Sequence, residues 1–134
     1  MSQENVAVVR RATEALNAGN PRAFLDLYDA DILLRVTAES FISPGTVVGA
    51  AAVERFFDDF YTTFSRGFRS DIVEAIDAGE SVIVLNKSTV EGRLSKAKVE
   101  SPFVVIFTFR GGRIIRIDML GSRHEALQAV GLEE

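Results

Sequence analysis

The chain has 134 residues, 47% of them hydrophobic and 25% charged, with a formal net charge of −4. The length fits one domain, residues 1–134, and the composition is that of an ordinary globular protein. The acidic balance argues against nucleic acid and anionic membranes, which need a basic stripe, while zero cysteines and one histidine remove disulfides, zinc–thiolate sites, thiol nucleophiles and multi-histidine metal sites.

Residues 6–9 form an apolar run too short for a signal peptide, and Arg10 and Arg11 follow it rather than precede it. No stretch is long enough to span a bilayer, so a cytoplasmic location is the expectation. Ser2 caps a first helix in which Val6, Val9, Thr13 and Leu16 recur at helical spacing, widened by Val8, Ala12 and Ala15. Gly19 is placed to end it, since glycine takes a left-handed backbone at little cost. Asn20 and Pro21 then predict a second helix whose buried face is Phe24, Leu27 and Tyr28. Residues 32–36 read as a short strand, and 37–48 as a loop or irregular edge holding Phe41 and Ile42.

The clearest helix spans 50–64. Val53, Phe56, Phe57, Phe60, Tyr61 and Phe64 share one face, and Glu54, Arg55, Asp58 and Asp59 the other. Residues 69–78 and 81–91 alternate as strands about Gly79-Glu80, and a looser turn leads to a strand over 98–109. Gly111-Gly112 then turns a long hairpin, because both residues tolerate positive φ. Phe103, Val105, Phe107 and Phe109 fall on one face of its first strand. In its second, Ile115, Ile117 and Met119 oppose Arg116 and Asp118. Val104, Ile106, Ile114 and Leu120 are assigned to the outer face. Ser122 with Glu125 forms a capping box for a terminal helix over 122–130, which places His124 in solvent. The expected architecture is α+β: a cone-shaped, curved antiparallel sheet with three to four helices packed on its concave face.

Three stretches resemble a known superfamily. They are Val8-Val9-Arg10-Arg11-Ala12-Thr13-Glu14-Ala15-Leu16-Asn17-Ala18-Gly19-Asn20, Leu27-Tyr28-Asp29-Ala30-Asp31, and Gly112-Arg113-Ile114-Ile115-Arg116-Ile117 with Arg123, Glu125, Ala126, Leu127, Gly131 and Leu132. The chain is similar in these to the SnoaL-like and ketosteroid-isomerase-like group, which shares the nuclear transport factor 2 fold. The resemblance implies a bent sheet and helices around a pocket, and a homodimer through the outer sheet face. It also allows a residue-by-residue test of isomerase chemistry, which needs a carboxylate base and two donors for an enolate oxygen. By family position the base falls on Val36, the tyrosine donor on Ala12, and the acid donor on Val104 or Val105. None of these side chains carries a proton to give, so the isomerase set is missing.

Related cyclases and epoxide hydrolases place a carboxylate on the last strand, at a position that lands on Met119 or Asp118. Alternation points Met119 inward and Asp118 outward beside Arg116. A bulge near the strand end would reverse that, which keeps Asp118 as the one catalytic candidate. If Lys87, Thr89 and Glu91 face solvent, Asn86 and Ser88 face the pocket. The residues expected to line a ligand pocket are therefore Ala12, Leu16, Tyr28, Val36, Phe57, Tyr61, Asn86, Ser88, Val105, Phe107 and Met119. Neither metal nor cofactor is implied, since no glycine-rich phosphate loop joins a strand to a helix. Two readings follow: a pocket for a small apolar or aromatic ligand, or a non-catalytic dimeric carrier or interaction module.

Overall fold

The computed structural model describes residues 2–20, 23, 26–36, 45–63, 69–91 and 98–120. Helix α1 (Ser2–Asn17) is followed by strands β1 (Tyr28–Val36) and β2 (Gly45–Val48), then helix α2 (Ala50–Thr63). Four strands complete the chain: β3 (Arg69–Ala78), β4 (Ser81–Glu91), β5 (Lys98–Arg110) and β6 (Arg113–Leu120). They form one six-stranded sheet in the order β2-β1-β6-β5-β4-β3. The architecture is α+β.

Helix α1 forms where the sequence places it. Asn5, Val8, Val9 and Ala12 are buried at i, i+3, i+4 and i+7. Its end is a Schellman motif: the Asn20 N–H donates to the Ala15 carbonyl at 3.1 Å and the Gly19 N–H to the Leu16 carbonyl at 3.1 Å, with Gly19 at φ 69°. In α2, Val53 and Phe57 are buried while Arg55, Asp58 and Asp59 face solvent. The Phe56 and Phe57 rings meet edge to face at 5.4 Å. Helix α1 packs across β3 and β4, and α2 across β1 and β2.

Strands β3 to β6 are the antiparallel succession that the turns predict. Gly111 and Gly112, at φ 60° and 79°, make the last turn. Two expectations need correction, and one alternative is decided. The sheet is mixed, because β1 runs parallel to β6, with Leu34 opposite Ile117 and Val36 opposite Met119. No local turn announces such a pairing. Residue 28 is not helical: Tyr28 opens β1 and lies opposite Ile114. A helical face of Phe24, Leu27 and Tyr28 spans a single turn, too short to nucleate against a strand that gains a whole ladder partner. Of the loop or irregular edge expected over 37–48, residues 45–48 are an edge, a short strand pairing with β1 from Leu33 opposite Val48 to Val36 opposite Gly45. Two helices are thus present among the described residues. Phe41, Ile42, Phe64 and the helix expected over 122–130, with His124, lie outside those residues.

A further correction concerns parity. Thr108 lies opposite Arg116 but Phe109 lies opposite Ile114, so Ile115 is an extra residue in β6. Ile114, not Ile115, joins the inner core, fully buried beside Phe109, and Ile115 is only half-buried. A second irregularity inserts Val73 in β3, between Ile72 opposite Asn86 and Glu74 opposite Leu85, and Val73 is 69% exposed. The inner face holds the main core, including Ile32, Leu34, Val53, Val82, Val84, Phe107 and Ile117. The outer face has a separate cluster of Ile83, Val104, Ile106 and Leu120, with Ile76, Ala78 and Leu85 beside it.

Candidate functional site

Between α1, α2 and the inner face of the sheet lies a cavity of about 40 Å³. A water needs about 10–15 Å³ on this measure, so the space takes two or three small atoms. Its helical wall is Ala12, Thr13 and Leu16 from α1 and Phe57 from α2. Its sheet wall is Tyr28, Ser70, Asn86, Phe103, Val105, Phe107, Ile117 and Met119. Alternation explains the sheet wall: Val105, Phe107, Ile117 and Met119 sit at every second position of two paired strands, with Val105 opposite Met119 and Phe107 opposite Ile117.

Of the residues expected at a pocket, Ala12, Leu16, Tyr28, Phe57, Asn86, Val105, Phe107 and Met119 meet here. Val36 is 4% exposed and belongs to the same apolar core, but it is not on this wall. Ser88 faces inward and is fully buried, also off the wall, and its Oγ has no hydrogen-bond partner among the described residues. Tyr61 falls in α2, and its side chain is outside the described residues. Of Val104 and Val105, Val105 lines the cavity and Val104 belongs to the outer cluster. Thr13, Ser70, Phe103 and Ile117 also line the cavity. Thr13 lies on the helical stripe and Phe103 and Ile117 on their strands' inner faces. Ser70 is found by counting two residues back from Ile72.

One end of the cavity is polar. The Asn17 amide clamps the backbone of Ser70: its Nδ2 donates to the Ser70 carbonyl at 2.8 Å, and the Ser70 N–H donates to its Oδ1 at 2.7 Å. Ser70 Oγ in turn donates to Asn86 Oδ1 at 3.1 Å. Both Ser70 and Asn86 are buried. The Thr13 hydroxyl is spent on its own helix, donating to the Val9 carbonyl at 3.0 Å. No carboxylate, imidazole, amine or guanidinium is on this wall among the described residues.

Asp118 is elsewhere. The pairing from Val104–Leu120 to Thr108–Arg116 is continuous, so the bulge at Ile115 comes before Asp118 can be turned inward. Its side chain, 7% exposed on the outer face, is held by two guanidinium groups. Arg35 Nε donates to Oδ1 at 2.8 Å, Arg116 Nε to Oδ2 at 2.8 Å, and Arg116 Nη2 to Oδ1 at 3.1 Å. The hydrogen bonds to Asp118 raise Arg116 above the ordinary guanidinium value. Partial burial opposes that rise, and the Asp118 charge adds to it. The stabilisation from this shift is therefore lost as pH rises into strong alkali. Arg110 pairs with Asp29 instead, at 3.6 Å. A wider, open cleft runs between the start of α1 and the two hairpin turns, bordered by Glu4, Arg11, Glu80 and Arg110. No group of acidic and histidine side chains suited to a metal ion occurs among the described residues, nor is any described helix long and apolar enough to cross a membrane.

The SnoaL-like domain model matches residues 9–117. The fold is that of the nuclear transport factor 2-like and ketosteroid isomerase-like proteins. A nuclear transport factor 2-like protein of unknown function from Burkholderia pseudomallei superposes with a TM-score of 0.78 at 21% identity, over 96% of this chain and 98% of that one. A putative SnoaL-like polyketide cyclase from Jannaschia gives 0.78 at 17% identity, over 99% and 95%. A hypothetical protein with a ketosteroid isomerase-like fold from Catenulispora acidiphila, in complex with trimethylamine, gives 0.74 at 18% identity, over 93% and 92%. At these identities the likeness is one of fold. No curated protein matches the sequence.

Proposed function

The chain belongs to the SnoaL-like domain family, and from that premise we propose that it binds a small, uncharged, apolar or aromatic molecule on the inner face of its sheet, without the ketosteroid isomerase catalytic set. The observation that carries this reading is the chemistry of the cavity wall: mostly carbon, with an amide and hydroxyls, and no group charged at neutral pH among the described residues. Taking an ionised ligand into such a place costs several kcal/mol with nothing to offset it. The positions that isomerase chemistry needs are the buried aliphatic carbons of Ala12, Val36 and Val105.

The cavity at about 40 Å³ is smaller than the roughly 150 Å³ that admits benzene in an apolar protein core. Binding therefore moves side chains, and Met119, unbranched and adaptable, is the wall residue best able to yield. In this reading the whole chain is one domain whose sheet wraps as a cone, with residues 122–130 adding a further helix to the two already seen. Asp118 then serves the outer face and not the ligand. A thermal-shift screen tests the proposal: neutral cyclic and aromatic compounds raise the melting temperature, because ligands of the native state stabilise it. A screen in which only carboxylates or ammonium compounds do so contradicts it.

A second reading, a non-catalytic homodimeric carrier or interaction module, is favoured by the outer face. There Ile83, Val104, Ile106 and Leu120 form an apolar cluster beside the Arg35–Asp118–Arg116 network. An apolar centre with a charged margin is the composition of a self-associating surface. Light scattering at micromolar concentration gives a dimer's mass in this reading, and a monomer's mass rules the dimer out.

A further inference from the structure

The polar end of the cavity is directional. Asn17 holds the backbone of Ser70 through paired hydrogen bonds of 2.7 and 2.8 Å, which fixes where the Ser70 hydroxyl stands. That hydroxyl donates to Asn86 Oδ1. With Oδ1 turned to the Ser70 hydroxyl, the Nδ2 protons are the donors the amide carries, and Asn86 lines the cavity. The Thr13 hydroxyl proton is committed to the Val9 carbonyl. The polarity of the site is thus set by a chain that starts at the end of α1, passes through β3 and ends on β4.

Resting on the pocket proposed above, we infer that Asn86 is the specificity-determining anchor of this cavity: its Nδ2 donates to an accepting oxygen, such as a carbonyl, on an otherwise apolar, uncharged ligand. Ser70 is a positioning residue that keeps the amide in this orientation. A buried donor facing a ligand with no acceptor is left unpaired, so the site discriminates against a hydrocarbon of the same shape. It discriminates against a carboxylate for a different reason: one amide does not replace the hydration of a full charge.

The test uses three ring probes on the full chain: cyclopentanone, the near-isosteric methylenecyclopentane, and cyclopentanecarboxylate. Affinities come from ligand-observed NMR titration. The native chain binds the ketone roughly tenfold tighter than the hydrocarbon, the scale of one neutral hydrogen bond in a desolvated site, and the carboxylate weakest. Asn86→Leu abolishes the ketone's advantage and retains or improves hydrocarbon binding. Should that variant fail to fold, Ser70→Ala gives the same answer in weaker form, because the freed amide turns and the advantage falls while hydrocarbon affinity stays. Equal binding of ketone and hydrocarbon by the native chain, an advantage that survives both substitutions, or a preference for the carboxylate overturns the anchor role and leaves the pocket standing. Failure of all three probes to bind overturns the pocket and the anchor together.

Discussion

Two buried polar residues on opposite faces of the sheet behave in opposite ways. Asp118 accepts from Arg35 and Arg116 through three hydrogen bonds of 2.8–3.1 Å, so its burial is compensated. Ser88 is as deeply buried, and its Oγ has no partner among the described residues. Removing the first therefore costs stability and removing the second does not. Asp118→Asn lowers unfolding free energy by about 1–3 kcal/mol, the worth of charge-assisted hydrogen bonds to a buried carboxylate, while binding of neutral probes to the inner cavity is unchanged. Ser88→Ala is neutral or stabilising by up to about 1 kcal/mol, because a hydroxyl that must shed water for nothing is replaced by a methyl group. Urea denaturation of both variants checks the pair. A Ser88→Ala variant weaker than the native chain shows that the hydroxyl is satisfied. The outward placement of Asp118 was legible from its alternation with Met119, whereas its two arginine partners were only half so. Arg116 is two residues away on the same face, but Arg35 reaches it only because β1 lies beside β6.

At the scale of elements, the sheet ends on β3, an edge whose open backbone would invite another strand. Two features blunt it. The bulge at Val73 breaks its regular ladder, and the Asn17 side chain occupies both backbone groups of Ser70 as a neighbouring strand would. Asn17→Ala leaves those groups to find water and costs about 1–2 kcal/mol. In hydrogen exchange the Ser70 amide then loses protection, with the β4–β5 ladder unaffected; unchanged exchange at Ser70 contradicts the clamp. These features show where sequence reading stops. Local signals are strong for β3 to β6, because Gly79-Glu80 and Gly111-Gly112 turn adjacent alternating runs, and for α1 and α2, whose stripes are continuous. They are silent on β1 beside β6, since a parallel partner far along the chain leaves no turn to read. Bulges are silent too: Ile114 and Ile115 are chemically alike, and only the ladder shows which of them enters the core. The cavity wall was largely legible because it follows from strand parity. The clamp was not, because Asn17 in the last turn of a helix looks like any solvated polar residue.

Taken as a whole, the molecule sorts its polar chemistry by face. Charge gathers outside, around Asp118, and the inner face keeps carbon with a short neutral chain from Asn17 to Asn86. In the function proposed above, this is a scaffold for holding a neutral molecule rather than for moving a proton through it. The sequence contains two methionines, Met1 and Met119, and Met119 is on the cavity wall. Labelling the methionine methyl groups with carbon-13 therefore gives two signals, one of which reports on the cavity. On titration with cyclopentanone the Met119 signal shifts and saturates while the Met1 signal stays in place. A Met119 signal that does not respond to any neutral probe, or that moves only with a charged one, contradicts a ligand-binding inner face.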